Sequence, residues 1–420
     1  MRLPLPHGKE VSDLELCMPS LKAYLSTKKD LFMGGQIKTK LNEWEKLTSD
    51  PEVLQTVQGI QISFDQYPMT CSQSVQKCQF TEKEITVIDE EVQKLLDKRV
   101  IKVSSVEEGQ VVSPIFVREK KDGSHRMILN LKALNENIEY QKFKMETLQT
   151  ALALVTKNCY FASIDLRDAY YSVPVHEDYQ KFLKFCWRGT LYVYQAAAMG
   201  LAPVPRLFTK LTKPILAHLH DLVHVITSFI DDSLLVGQSK TEVCENVIDT
   251  VKMFDALGFT IHEGKSQFIP AQEITYLGFV LNSHEMTVTL SGDRKEKLWH
   301  TCIDILKQPK PVIRNVASCI GLMVSSFPAV PLGPLYYRCL EQGKNKALQA
   351  HKGNWEKCMP LSERAKLELN WWVKTIMSQS APIQRPDPMF TLKTDSSITG
   401  WGAFCFFFSG NRTENSEFVD

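Results

Sequence analysis

The sequence predicts an α+β fold in which one face of a β-sheet carries the chemistry. Two segments of strand-forming apolar residues, 161–166 and 228–235, are separated by a helical stretch, and both contain acidic residues. A further helix is predicted from about residue 242 to 257, because apolar residues recur on one face and a glycine follows. Strand, helix, two strands, helix and strand is the order of a ferredoxin-like sheet, which leaves one face free for substrate.

The acids within these strands are the main candidates for a functional site. Asp165 lies in the first strand, and Asp231 and Asp232 lie in the second. Unpaired carboxylates are costly to bury, so acids inside an apolar run indicate a bound cation. Two divalent ions about 4 Å apart can serve the attacking and the leaving oxygen of a phosphoryl transfer, and magnesium needs only one or two protein carboxylates per ion.

We therefore expect Asp165 and Asp231, with Asp232 third, to be catalytic ligands of two Mg²⁺ ions, with Mn²⁺ as the alternative metal. For an Asp-Asp pair taken alone, the competing interpretation is a surface hairpin turn that binds nothing.

Composition indicates a globular chain with no overall basic character. A length of 420 residues suggests about three domains, and a hydrophobic fraction of 44% is ample for buried cores. Because the formal net charge is only +1, any contact with nucleic acid must depend on local basic clusters. The candidate clusters are Arg118, Lys120, Lys121, His125 and Arg126 in one segment, and Arg206, Lys210 and Lys213 in another.

Nothing in the sequence indicates export or a membrane span. The 11 cysteines show neither a Cys-x-x-Cys pair nor a zinc-type spacing, so reduced thiols are expected. The N-terminus lacks an apolar signal region, and prolines interrupt the apolar stretch 320–337. We expect an intracellular protein, in the cytoplasm and/or the nucleus, that is not secreted and has no membrane partner.

Local signals predict further elements around the acidic strands. Thr81 and Glu84 form a capping box that opens a helix with one apolar face. The dipeptide Asp122-Gly123 predicts a hairpin whose tip carries basic residues. From about residue 290 to 386 the pattern becomes largely helical, including residues 294–306 and 362–376.

The order of motifs resembles that of reverse transcriptases over most of the chain. The tetrapeptide Phe229-Ile230-Asp231-Asp232 occupies the position of the Tyr-x-Asp-Asp box of that family. The other segments that match in order are residues 112–126 (VSPIFVREKKDGSHR), 130–135 (NLKALN), 161–174 (FASIDLRDAYYSVP), 199–205 (MGLAPVP), 257–266 (LGFTIHEGKS) and 276–279 (YLGF).

This resemblance implies a right-hand polymerase with fingers, a ferredoxin-like palm and a thumb. It implies an RNA-directed DNA polymerase that transfers a nucleotide from a dNTP to a primer 3′-OH on an RNA or DNA template, with magnesium as cofactor. The residues that it implies for the dNTP are Lys120 or Lys121, which the sequence does not separate, and Arg126, Asp168, Ala169, Tyr170, Met199, Gly200 and Lys265. Those implied for the primer are Phe229, Ile230, Leu277 and Gly278.

Tyr170 has a specific implied role, because its ring would collide with a 2′-hydroxyl and so favour deoxynucleotides. An ordinary core tyrosine is the alternative outside the motif. Two residues depart from the family pattern. Phe229 replaces the usual tyrosine but keeps a ring, and Met199 replaces a polar residue and leaves an apolar contact on the template side.

A narrower resemblance lies upstream of the polymerase motifs. Residues 34–37 (GGQI), 44–51 (WEKLTSDP) and 57–64 (VQGIQISF) are similar to DIRS-type retrotransposons, as are residues 361–362 and 369–372. Such elements encode a tyrosine recombinase, so a recombinase in a separate chain is an implied partner. Oligomeric state is not indicated by the sequence.

The C-terminal residues resemble the opening of a ribonuclease H domain. Residues 391–397 (TLKTDSS) are followed by Gly400-Trp401-Gly402, and Asp395 would be the first metal ligand of such a domain. Further carboxylates are needed on later elements, so we expect no ribonuclease H activity from this polypeptide. The end at Asp420 suggests a fragment or an incomplete reading frame.

These observations together give a domain plan and two competing functions. The leading interpretation is an active mobile-element polymerase, and the alternative is a catalytically silent nucleic-acid-binding relic of a retroelement. A nucleotide cyclase shares the sheet topology, but its Gly-Gly-(Asp/Glu)-Glu-Phe signature is missing. The expected domains are an N-terminal extension (1–80), fingers and palm (81–290), a mostly helical thumb and connection (291–387) and an incomplete ribonuclease H-like domain (388–420).

Overall fold

The computed structural model describes residues 21, 32–68, 80–119, 123, 125–384, 390–396, 401–407 and 416–418. The chain divides into two compact units, and the division falls between Ala381 and Pro382. Alternating helices and strands over most of the first unit agree with the predicted α+β class. Its last part, from Gly292 onward, is mainly helical.

The helices, in chain order, are α1 (Leu41–Leu47), α2 (Pro51–Gln58), α3 (Glu82–Asp97), α4 (Lys132–Asn135), α5 (Leu148–Ala153), α6 (Glu177–Gln180), α7 (Val204–Asp221), α8 (Lys240–Ala256), α9 (Gly292–Leu306), α10 (Ile313–Ser326), α11 (Arg338–Ala350) and α12 (Glu363–Thr375). The 3-10 helices are Gln36–Lys40, Ala169–Ser172, Phe327–Ala329, Gly333–Leu335 and Ile376–Ser378.

The strands are β1 (Ile101–Ser104), β2 (Ile115–Glu119), β3 (His125–Leu129), β4 (Tyr160–Asp165), β5 (Lys184–Trp187), β6 (Thr190–Tyr194), β7 (Val225–Phe229), β8 (Asp232–Gly237), β9 (Gln267–Ala271), β10 (Glu273–Tyr276), β11 (Phe279–Asn282), β12 (Thr287–Leu290), β13 (Ala381–Pro382), β14 (Phe390–Ser396), β15 (Trp401–Phe407) and β16 (Ser416–Phe418).

The central sheet has four antiparallel strands in the order β7-β8-β4-β9. Between β4 and β7 the chain forms α6, the β5–β6 hairpin and then α7, and helix α8 connects β8 to β9. The chain thus keeps the predicted βαββαβ order, with the β5–β6 hairpin inserted before the first of its two helices. Val243, Val247, Val251 and Phe254 of α8 are all buried, as the apolar period predicted. Gly258, with φ of 87°, follows the end of this helix in the left-handed conformation that glycine tolerates.

Three smaller sheets complete the first unit. Strands β1, β6 and β5 form one antiparallel sheet, and β2 and β3 form the predicted hairpin. Helix α3 begins at the Thr81 and Glu84 capping box and packs against strands of both. Strands β10, β11 and β12 follow the central sheet as an antiparallel meander.

The described residues 32–62 contribute to the main core. Phe32, Ile37, Trp44, Val57 and Ile60 are buried in the same hydrophobic cluster as the central sheet. The Trp44 indole also donates a 3.1 Å hydrogen bond to the Leu257 carbonyl at the end of α8. The sequence had given little information on this segment, because its helices are short.

Helices α9 to α12 form the last part of the first unit. The buried carboxylate of Glu368 in α12 accepts two 2.9 Å hydrogen bonds, from the backbone N–H groups of Cys339 and Leu340. These amides belong to the first turn of α11, where N–H groups lack partners within the helix. A negative charge at this end is also favoured by the helix dipole.

The second unit contains an antiparallel sheet in the order β14-β15-β16. Asp395 lies in β14, opposite Gly402 of β15, and its side chain is exposed.

Replacing Glu368 should destabilise the helical part of the first unit. Glu368→Ala leaves two helix-terminal N–H groups buried without an acceptor, which we expect to lower the free energy of unfolding by about 2–3 kcal/mol. Urea denaturation followed by tryptophan fluorescence measures the change. Glu363→Ala on the same helix is the control, because its exposed carboxylate should contribute less than about 0.5 kcal/mol. Equal stability of the two variants would contradict this assignment.

Candidate active site

The two acid-bearing strands lie side by side in the central sheet. Strands β4 and β8 pair in a register that places Asp165 directly opposite Asp232. Asp231 lies in the two-residue turn that joins β7 to β8, and its carbonyl accepts a 3.0 Å hydrogen bond from the Leu166 amide. Three carboxylates from two distant parts of the sequence therefore meet at one end of the sheet.

The tight turn has an unusual backbone conformation at Ile230. Its φ of 58° is rare for a β-branched residue, since the left-handed region strains its side chain. A two-residue hairpin requires positive φ at its first central position in a type II′ turn. This conformation is what keeps Asp231 in the turn, next to Asp232 at the first position of β8.

The residues after α8 hold the end of β4 in place. The His262 amide donates to the Asp165 carbonyl at 2.8 Å, and the Asp165 amide donates to the Ser266 hydroxyl at 3.0 Å. That hydroxyl in turn donates to the His262 carbonyl at 2.9 Å. The backbone on both sides of Asp165 is thus fixed, while its carboxylate stays directed toward Asp231 and Asp232.

Burial and mutual repulsion disfavour the charged forms of these acids. Burial, followed by the charges of Asp231 and Asp165, raises the pKa of Asp232 to about 6. Burial also raises the pKa of Asp231, together with the charge of Asp165, although its own backbone amide and Lys265 act in the opposite direction. Carboxylates that repel one another in a partly buried site would be relieved by a bound cation.

The three aspartates could hold metal ions in an open site, in which water and substrate phosphates supply the remaining ligands. Within the described residues, no group of three His, Cys, Asp or Glu side chains forms a ready-made metal cage. A magnesium ion that keeps waters and substrate phosphates needs only one or two protein carboxylates, which the paired Asp165, Asp231 and Asp232 provide. The Lys265 ammonium lies 3.8 Å from an Asp165 carboxylate oxygen and is 63% exposed, so it does not fill the site.

A cavity of about 470 Å³ opens beside the aspartates. It brings together residues that the sequence predicts at the metal and at the dNTP, together with Ile230, which was predicted to contact the primer. Those in its wall are Asp165, Asp168, Ala169, Tyr170, Met199, Ile230, Asp231 and Lys265.

Tyr170 forms one wall of this cavity and also packs against the core. Its ring lies edge to face with Phe208, with the centroids 5.5 Å apart. Burial and the charge of Asp231 raise the pKa of its hydroxyl to about 12, so the phenol stays neutral. A neutral ring held by Phe208 is a rigid boundary for whatever occupies the cavity.

The cavity wall also contains residues that sequence reasoning did not assign. Lys98, Leu166, Arg167 and His262 line it as well. Arg167 and His262 lie within motifs that resemble those of reverse transcriptases, so the sequence could have identified them as site residues. Lys98 follows α3 and belongs to no such motif. The Lys98 ammonium lies 2.6 Å from an Asp168 carboxylate oxygen, so the Asp168 side chain is already ion-paired.

Met199 lines the cavity, whereas Gly200, which was also expected at the dNTP, does not. The Asn135 side chain donates to the Gly200 carbonyl at 2.8 Å and accepts from the Ala202 amide at 2.9 Å. Gly200 has φ of 93°, a conformation that suits glycine, and Met199 is half exposed. Asn135 entered the sequence analysis only as part of a motif. In the structure it fixes the backbone of residues 200–202, next to Met199.

Arg126, one of the basic residues expected at the triphosphate, does not lie at the cavity. Arg126 is exposed in β3, opposite Arg118, and does not line the cavity wall. Lys120 and Lys121 lie outside the described residues. Arg126 belongs to the β2–β3 hairpin, and sequence periodicity does not give the distance between that hairpin and the cavity.

The second basic cluster is partly neutralised. Arg206 of α7 lies 2.5 Å from a Glu52 carboxylate oxygen, and Lys210 binds the other oxygen of the same carboxylate. Burial alone would raise the pKa of Glu52, but hydrogen bonds and charges from Lys210 and Arg206 lower it. Two of the three expected cations thus join α7 to α2, and Lys213 remains exposed.

The residues expected at the primer lie next to the aspartates. Phe229 ends β7 opposite Asp232, and Leu277 and Gly278 form the turn between β10 and β11. The Tyr276 hydroxyl donates a 3.2 Å hydrogen bond to the Asp232 carbonyl and so ties this turn to the acid-bearing hairpin. Arg294 of α9 donates to the Leu277 carbonyl at 3.2 Å.

A search for membrane-spanning segments gave a negative result. In the part of the chain with described coordinates, every helix is too short or too polar to cross a bilayer.

The family comparison matches the segment that contains the aspartates. Residues 118–281 match the family described as reverse transcriptase (RNA-dependent DNA polymerase).

Curated relatives are viral and transposon polyproteins. Polyprotein P3 of Commelina yellow mottle virus is 23% identical over an alignment of 343 positions that covers 77% of this chain and 17% of the viral protein. The enzymatic polyprotein of Soybean chlorotic mottle virus is 26% identical, over 52% of this chain and 31% of that protein. The transposon Tf2-3 polyprotein of Schizosaccharomyces pombe (strain 972 / ATCC 24843) is 24% identical, over 50% of this chain and 15% of that protein. The chain thus spans less than a third of the length of each.

Solved structures with the same fold include the foamy viral protease-reverse transcriptase. Its complex with dsDNA gives a TM-score of 0.63 at 18% identity, over 85% of this chain and 70% of that one. Its complex with an RNA/DNA hybrid gives a TM-score of 0.62 at 18% identity, over 99% of this chain and 53% of that one. At this identity the likeness concerns the fold. Residues 118–281 thus match a reverse transcriptase family, and the chain is similar in sequence to viral and transposon polyproteins.

Proposed function

We propose that the chain is an RNA-directed DNA polymerase that adds dNTPs to the 3′-OH of a primer. The observation that carries this proposal is the convergence of Asp165, Asp231 and Asp232 beside a cavity large enough for a nucleotide. The foamy viral relatives were solved with dsDNA and with an RNA/DNA hybrid, which supports a primer and an RNA or DNA template as the partners.

Magnesium is the cofactor that suits this cluster. Two ions held by Asp165, Asp231 and Asp232 would activate the primer hydroxyl and stabilise charge on the leaving pyrophosphate. The protein contributes the other parts of the site. Asp165 and Asp232 are set by strand pairing, Lys265 supplies positive charge at the cavity, and the ring of Tyr170 limits its width.

Tyr170 is proposed as the residue that selects deoxynucleotides. Its ring lines the cavity and is held by Phe208, so a 2′-hydroxyl on an incoming nucleotide would meet a wall that cannot move away. Phe229, Leu277 and Gly278 are proposed to contact the primer, since their turns flank Asp232.

Subfamily and domain roles are further proposals. The motifs upstream of residue 65 support the proposal of a DIRS-like element. The sequence of residues 391–402 supports the proposal that a ribonuclease H-like domain begins at about residue 388. In the proposed plan, residues 81–290 are fingers and palm, and residues 291–387 are thumb and connection. A catalytically silent relic that only binds nucleic acid is the second candidate function, and the partial neutralisation of the α7 cluster does not favour it.

Removing one central carboxylate should abolish synthesis. We expect Asp231→Asn to lower incorporation on poly(rA)/oligo(dT) by at least about 10³-fold, since electrostatic stabilisation of this kind contributes several kcal/mol. Primer extension with Mg²⁺ measures the effect, and the exposed Asp178→Asn is the control that should keep wild-type rates. Equal incorporation by Asp231→Asn and wild type would rule out the assignment, and duplex binding without any extension by wild type would favour the relic.

Shortening Tyr170 should relax sugar selection. Tyr170→Val removes the ring, and we expect the preference for dNTP over rNTP in kcat/KM to fall at least about tenfold, because a steric clash is lost. Tyr170→Phe is the matched control, since it keeps the ring and should keep the preference. Single-nucleotide incorporation with dTTP and UTP provides the comparison, and unchanged selectivity in Tyr170→Val would contradict the role.

A further inference from the structure

Three consecutive residues near the N-terminus contact three separate elements behind the cavity. The Gly34 amide donates to the Lys98 carbonyl at 2.7 Å, and the Gly35 amide donates to the Tyr171 carbonyl at 2.8 Å. The Gln36 side-chain amide donates to the Gly258 carbonyl at 2.7 Å and to the Thr260 hydroxyl at 2.9 Å. Each contacted element continues into the cavity wall.

The Gln36 contacts lead directly to the aspartate strand. The Thr260 carbonyl accepts a 2.7 Å hydrogen bond from the Arg167 amide, and Leu166 pairs with Ile261. His262, next in line, donates to Asp165. Residues 258–262 therefore form a short ladder along residues 165–167, and Gln36 fixes the start of this ladder.

Gly34 and Gly35 are required because neighbouring atoms lie too close to leave room for a Cβ, and not only because glycine is conformationally free. A Cβ at position 34 would lie 2.7 Å from the Arg99 carbonyl oxygen, which is closer than real contacts allow. Gly35 has φ of 71°, and a Cβ there would lie 3.1 Å from Cβ of Pro174. The segment thus lies in contact with the backbone on either side of the Lys98 and Asp168 ion pair.

Gln36 is itself fixed in one orientation. Its side-chain carbonyl oxygen accepts a 3.0 Å hydrogen bond from the Met33 amide, so its NH₂ group points at Gly258 and Thr260. A carboxylate at this position could accept from Met33 but could not donate to the Gly258 carbonyl.

We propose that segment 34–36 is a positioning device for the nucleotide cavity, with Gln36 as its main residue. The segment lies outside residues 118–281, so the family comparison assigns it nothing. Gln36 does not line the cavity and acts through Thr260 and Arg167. This inference rests on the proposed function only for the identity of the ligand.

The positional part of this inference is tested by hydrogen–deuterium exchange of the protein alone. In Gln36→Met, loss of the hydrogen bonds to Gly258 and Thr260, together with the one from Met33, should speed exchange in peptides covering 165–171 and 258–265 about tenfold. Peptides from α9 and α10 should not change. Gln36→Glu keeps the size and the bond from Met33 but cannot donate to the Gly258 carbonyl, so it should also speed exchange in the same peptides, which preserves the test if Gln36→Met folds poorly.

Gln272→Met is the matched control. Its side chain also donates 3.0 Å to a distant backbone carbonyl, that of Asn158, but near the opposite end of β4. It should leave exchange at 165–171 unchanged. Unchanged exchange in both Gln36 variants, or an equal increase over the whole protein, would overturn the inference.

Kinetics then test the link to the ligand. Gln36→Glu should raise KM for dTTP about tenfold, change kcat less than about threefold and leave binding of a labelled primer–template duplex unaltered. An equal loss in duplex affinity would overturn the assignment to the nucleotide cavity. If wild type incorporates no nucleotide, the proposed function fails, while the exchange result still decides whether Gln36 positions residues 165–171.

Discussion

The pairing of β4 with β8 is the interaction on which the rest of the site depends. Its register sets Asp165 opposite Asp232, and a shift by one residue would turn every side chain of one strand to the other face. The buried apolar residues of both strands prevent such a shift, because Ile164, Leu234 and Leu235 would lose their packing. Hydrophobic burial therefore holds repelling carboxylates together, and the sheet bears the electrostatic cost that raises the pKa of Asp232.

Support for this arrangement comes from two segments outside the central sheet. Residues 34–36 hold the backbone behind Lys98, Tyr171 and Thr260, while Tyr276 and Arg294 hold the turn beside Asp232. Side chains from outside the central sheet thus determine how precisely the acids are placed. A site built on strands and fixed by such neighbours is more rigid than one built on loops.

Sequence reasoning reached the fold through periodicity and the site through motif order. The inward face of α8 and the capping box at Thr81 followed from local rules, and the structure confirms both. The features that sequence reasoning missed depend on contacts between residues far apart in the chain. Glu52 neutralises Arg206 across 154 positions, Lys98 reaches Asp168 across 70, and Gln36 reaches Thr260 across 224. No pattern of spacing encodes these distances, because they exist only once the chain has folded.

The charges around the cavity would favour a nucleotide that carries divalent ions over a bare triphosphate. Its wall contains the carboxylates of Asp165, Asp168 and Asp231 and the cationic groups of Lys98, Arg167 and Lys265. Since Lys98 is already paired with Asp168, the remaining cations do not exceed the remaining acids. A bare triphosphate would therefore meet the carboxylates without a surplus of positive charge. A nucleotide that brings divalent ions supplies that surplus itself, so the same acids that repel the free anion would bind its metal complex.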